Sequence, residues 1–206
     1  MNAFDFSQIQ EVRLSAGNHA NPQDGMCFME MTAWFAGEPH SDRPECACPV
    51  LGRYGMTLND AMPDNMRDRL LKPLVPLIAG TRGSPQDELD RAKFLAMWGI
   101  NRIAPVWLRA YQIPEFDALA SQCEAARSDD ELREISALAA LAARAALAAL
   151  AALAARAARA ALVREQCLEL MVEGLREAMR IGPHVGFDQA IDLTERHQAL
   201  KTLVAA

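Results

Sequence analysis

No glycine-rich phosphate loop, dinucleotide fingerprint or His-Glu-x-x-His pair occurs in this sequence, and without the phosphate loops a nucleotide enzyme is not expected. Positive charge is in short supply: 21 Lys and Arg against 27 Asp and Glu leave a net charge of −6. Nucleic acid is therefore not expected as the main partner, because phosphate binding needs a basic surface. The opening Met1-Asn2-Ala3-Phe4-Asp5-Phe6 has neither a basic n-region nor an apolar h-region, and no secretory signal is expected. Five cysteines in that setting point to a reducing compartment, the cytoplasm by default, and an odd number cannot all pair within one chain. No segment alternates apolar and polar residues well enough to read as a strand.

What the sequence does have is helical punctuation. At 206 residues and 51% hydrophobic content it can bury a core, as one domain or two small ones. Asn21, Pro22 and Asp24 read as a helix start, with Asn21 as N-cap. Phe28, Met31, Trp34 and Phe35 follow at helical spacing until Gly37 and Pro39 end the run. His40 to Cys48 reads as a loop, Pro49 opens a second helix, and Pro63 a third that Pro73 and Pro76 break. Ser84-Pro85-Gln86-Asp87 starts a longer helix that Pro105 is expected to kink or split. A further helix is expected from Pro114 to Ala126, and Ser128-Asp129-Asp130-Glu131 is a capping box. A last helix is expected over Phe187 to Val204. The predicted fold is all-α, a helical bundle with a long Ala-rich helix. The predicted division is a helical region with the His/Cys segment at 1–83 and a second helical region at 84–206, with one continuous domain as the alternative.

From Leu138 to Leu162 every third residue is Leu or Arg and every residue between is Ala. Arg144, Arg156 and Arg159 interrupt the tract, and each arginine near a span centre costs roughly 2.5–3.5 kcal/mol of insertion, so a membrane span is not expected. A three-residue step advances about 300° around a helix, so the leucine stripe rotates along the helix. Residues 129–181 as a single helix would reach roughly 80 Å. A protruding Ala/Leu helix needs a cover, and self-association or a protein partner is the expected one; a tolerated low-complexity expansion is the other reading.

The reactive side chains concentrate in the N-terminal third, where His19, Cys27, His40, Cys46 and Cys48 fall within thirty positions. Such donors suit zinc, which takes four tetrahedral N or S ligands. The expected set is Cys27 with Cys46 and Cys48, completed by His19 or His40, although Cys-x-Cys replaces the usual Cys-x2-Cys. Reduced, metal-free cysteines are the other outcome, so the cofactor reading is none or zinc. Cys27 is also a candidate nucleophile, with His40, His19 or His184 as base. Asp24-Gly25-Met26-Cys27 is similar to the Asp-Gly-x-Cys opening of ovarian-tumour-type cysteine proteases, which implies that role. A start at Pro22, however, puts Cys27 past the first helical turn, where the dipole fades. Cys123, Cys167 and the three tryptophans read as core, and His184 and His197 as solvated.

The stretch Gly17-Asn18-His19, Asp24-Gly25-Met26-Cys27-Phe28-Met29-Glu30, Ala36-Gly37-Glu38-Pro39-His40-Ser41-Asp42 and Cys46 resembles a group of bacterial and phage proteins of uncharacterised activity. They share this N-terminal pattern and often an Ala-rich helical second half. The resemblance covers mainly residues 13–83 and implies that the His/Cys segment is a family signature, without implying an activity. The leading expectation is a non-enzymatic binding or regulatory protein with a structural His/Cys site, and the alternative is a small cysteine- or metal-dependent hydrolase using Cys27.

Overall fold

The computed structural model describes residues 12–128, 130–131 and 157–182. Among them the fold is all-α, with no strand and one isolated parallel bridge between Leu14 and Met26. No helix among the described residues is long and apolar enough to cross a membrane. Most of the Ala-rich tract, the expected helix over Phe187 to Val204, His184 and His197 lie outside the described residues.

The chain divides into two compact units, one built from 1–91 with 175–206 and the other from 92–174. In the first unit, α1 (Phe28–Ala36) is the central element, buried almost all round through Phe28, Met29, Glu30, Met31, Thr32, Ala33 and Phe35. Gly37 closes it in a left-handed C-cap at φ 81°, returning its N–H to the carbonyls of Ala33 and Trp34, as the Gly37/Pro39 stop signal implies. α2 (Pro49–Ala61) starts at its proline and packs on α1. The two helices approach closely because α2 is bare where α1 is bulky. A Cβ at Gly55 would stand 2.7 Å from the Phe28 ring, and one at Gly52 would stand 3.2 Å from Met29 Cε. α3 (Asp64–Leu70) follows Pro63, a 3-10 turn holds Lys72–Leu74, and α4 (Val75–Ile78) lies against α1. Pro76 falls in the first turn of α4, where its missing N–H costs nothing.

The start of α1 corrects the sequence reading. Asn21 caps no N–H; Pro22–Asp24 form a single 3-10 turn, and Gly25 at φ 125° turns the chain into the extended Met26. The helix begins at Phe28 with Cys27 as its N-cap.

The boundary between the units falls within α5 (Pro85–Trp98) and α8 (Ala157–Ala178). In the second unit α5 runs into a π turn at Gly99–Ile103 and then α6 (Ala104–Arg109). Pro105 has no N–H to give to the preceding turn, and the wider π geometry just ahead of it is how the helix continues past that gap. α6 packs on α7 (Pro114–Ala125) around Leu108, Phe116, Leu119, Ala120 and Cys123. Tyr111 stands edge-on to both Trp107 and Phe116. Ser128 and Glu131 exchange the expected capping bonds, with Ser128 N donating to Glu131 Oε2 at 2.9 Å and Glu131 N to Ser128 Oγ at 3.3 Å.

Candidate functional site

The His/Cys segment folds around a carboxylate that the sequence reading did not place at its centre. Glu30, on the first turn of α1, is 1% exposed. Its Oε2 accepts the backbone N–H of Cys27 at 2.6 Å and the ring Nδ1–H of His19 at 2.8 Å. Its Oε1 accepts the backbone N–H of His19 at 2.6 Å. The Cys27 thiol accepts the Glu30 N–H at 3.4 Å in return, which completes a capping box with sulfur in place of a hydroxyl. Cys27-x-x-Glu30 has the spacing of that motif, and this was the signal in the sequence that could have found Glu30.

His40 adds a second imidazole. Its Nε2 donates to the His19 carbonyl at 3.0 Å and stands 3.9 Å from Glu30 Oε1. Its Nδ1 is buried with no hydrogen-bond partner among the described residues. The lead-in segment is thereby fastened to α1 through His19, and the loop after α1 through His40. Gly25 makes room for this packing, since a Cβ there would stand 3.0 Å from His19 Nε2 and 2.8 Å from Ser15 Oγ.

The electrostatics follow from the bonds. Burial drives the Glu30 carboxyl up, but the hydrogen bonds from Cys27 and His19 outweigh it and hold the group below the usual carboxylate range. Cys27 goes the other way. Burial, which outweighs the helix-end N–H groups, pushes its thiol up to about 12 with the Glu30 charge adding to the effect. Position at a helix N-terminus normally favours a thiolate, so here burial beside an anion wins. The thiol is protonated at neutral pH, whereas nucleophilic chemistry and metal ligation use the thiolate.

Cys46 and Cys48 belong to a different set of contacts. Glu38 caps the returning loop by accepting the N–H groups of Glu45 and Cys46 at 2.6 and 2.7 Å. Burial and the neighbouring Glu38 push the Cys46 thiol up to about 12. Cys48, fully buried, is the N-cap residue of α2 and donates its N–H to Thr81 Oγ1 at 3.1 Å. The expected zinc set is thus divided, with His19, Cys27 and His40 engaged around Glu30 and Cys46 and Cys48 around Glu38 and Thr81. Among the described residues no three His, Cys, Asp or Glu side chains are grouped so as to hold a metal ion. All five cysteines are free thiols.

Two further buried polar side chains of the first unit fasten the same segment. Asn59 accepts the Phe28 N–H at 3.1 Å and donates to the Ser15 carbonyl at 2.8 Å. Arg67, 2% exposed, donates to the carbonyls of Asn59, Leu14 and Met62 and to Asp64 Oδ1. No protein-family model matches this chain, and no curated protein or solved structure matches it either.

Proposed function

We propose that this chain is a non-enzymatic binding or regulatory protein, and that its His/Cys segment is a structural clasp rather than a reaction centre. The observation that carries this reading is the reciprocal bonding of Cys27 and Glu30, with the thiol spent as a helix cap and pushed to about 12. Both histidines are also committed, His19 to Glu30 and His40 to the His19 carbonyl. A clasp of this kind fixes the lead-in and loop segments on which a binding surface can be built. The leucines that recur through the Ala-rich sequence at 138–162 support self-association or a protein partner as a second mode of contact.

The test is alkylation of the native protein by iodoacetamide at neutral pH, with each cysteine followed by mass spectrometry. Cys27 is expected to react only as fast as unfolding exposes it, and to become ordinary in denaturant. A Cys27 that outpaces a free cysteine peptide in the folded protein would overturn the reading and install the cysteine hydrolase.

A further inference from the structure

A cavity of about 480 Å³ opens beside the clasp, within the first unit, where the 42–48 loop passes the start of α2. Its floor is apolar, built from Met29, Ala47, Cys48 and the bare face of Gly52, with Met56 at one side. Its rim carries three guanidinium groups, Arg43, Arg53 and Arg82, and one carboxylate, Asp42. Three positive charges less one negative give +2 at this spot in a chain whose net charge is −6.

Two buried arginines of the same unit make the contrast. Arg67 and Arg91 are buried with their N–H groups spent on backbone carbonyls. The side chains of Arg43, Arg53 and Arg82 are exposed, and among the described residues they meet no carboxylate or carbonyl partner. The first turn of α2, which borders the same cavity, carries no acidic residue. A second cavity, of about 620 Å³ in the other unit, shows the contrast. Three of its polar side chains are already engaged: Asn101 bonds to the Cys123 carbonyl, Glu124 pairs with Arg109, and Arg127 bonds to the Glu124 carbonyl.

We infer that the cavity beside α2 binds an organic oxyanion, a carboxylate or phosphate monoester carrying a short apolar group. Guanidinium forks match the paired oxygens of either headgroup, and planar bidentate recognition is what arginine does better than lysine. The volume lies in the range of small-molecule sites, and a bare phosphate would leave most of it to water. The side chains of Met29 and Met56, which line the cavity, adapt to an irregular apolar group. Asp42 sets the polarity of the rim by rejecting a second anion at its own side. No aromatic side chain lines the cavity, so the stacking platform that a single-stranded nucleic acid uses is missing.

This inference rests on the binding-protein reading but is tested apart from it, since alkylation of Cys27 does not probe the arginines. The experiment is calorimetric titration of the full chain with octanoate, octyl phosphate, inorganic phosphate and octylammonium, each below its micelle-forming concentration. One of the two octyl anions is expected to bind saturably at one site, and whichever binds tighter identifies the headgroup. Arg53→Gln or Arg82→Gln is expected to weaken that binding about tenfold or more while the thermal unfolding of these surface variants stays unchanged. Inorganic phosphate is expected to bind at least tenfold more weakly, and octylammonium not at all. No saturable binding of either octyl anion, or binding indifferent to Arg43→Gln, Arg53→Gln and Arg82→Gln alike, overturns the inference. Equal binding of octylammonium overturns it too.

Discussion

Glu30 and Cys27 cap one another: the carboxylate takes the Cys27 N–H at 2.6 Å while the thiol takes the Glu30 N–H at 3.4 Å. Sulfur is a weak acceptor, so most of the stabilisation resides in the charged half of the exchange. Cys27→Ser keeps an acceptor at the cap and is expected to hold stability within about 1 kcal/mol of the parent chain. Cys27→Ala removes it and is expected to cost about 1–2 kcal/mol. Urea unfolding of the two variants measures the difference.

Arg67 is the second fastening. One guanidinium serves three carbonyls and Asp64, bringing Leu14, the end of α2 and α3 together. A lysine there carries the charge but cannot aim donors at four acceptors. Arg67→Lys is expected to destabilise by about 2–4 kcal/mol in chemical denaturation, because buried carbonyls lose their partners.

In the second unit Gly174 makes a specific approach possible. The Trp98 indole donates Nε1–H to the Leu170 carbonyl at 2.8 Å, and a Cβ at Gly174 would stand 2.6 Å from its Cδ1. Alanine favours a helix over glycine by about 1 kcal/mol. Gly174→Ala is nonetheless expected to destabilise by about 1–3 kcal/mol, since the ring must shift and its hydrogen bond breaks. A change in tryptophan fluorescence in the folded state would accompany the loss. A variant more stable than the parent would contradict the packing described.

The helical class was legible in the sequence because proline and glycine act through backbone geometry alone. Pro49, Pro85 and Pro114 open helices, Gly37 closes one, and Pro105 follows a π turn, each as local sterics require. The first helix start was misread for an equally physical reason. Asn21-Pro22 matches a cap, but the tertiary bridge of Leu14 to Met26 and the φ of 125° at Gly25 interrupt the helix that the cap implies. Cysteine is an unusual cap, so Cys27-x-x-Glu30 did not stand out. Clustering of His19, Cys27 and His40 was visible in the spacing. Their convergence on Glu30 was not, because it depends on the chain folding back across that glycine. The arginine-rimmed cavity draws on positions 43, 53 and 82, which no local pattern links.

The central claim, that the Glu30 carboxylate organises the segment, is tested most directly by equilibrium unfolding of the parent chain and Glu30→Gln from pH 7 down to pH 3. Glu30 is held below its ordinary range in the folded protein, so the unfolded chain takes up its proton first as pH falls. The stability it contributes is therefore full above the unfolded value of about 4.5 and is lost as pH drops through the folded one. The difference between the two proteins is expected to be about 2–4 kcal/mol at pH 7 and to shrink steadily below pH 4.5. Comparing the two chains removes the shared contributions of Asp87, Glu124 and Glu131, whose carboxyls are also lowered. A Glu30→Gln protein as stable as the parent, or a difference that does not change with pH, would contradict the account.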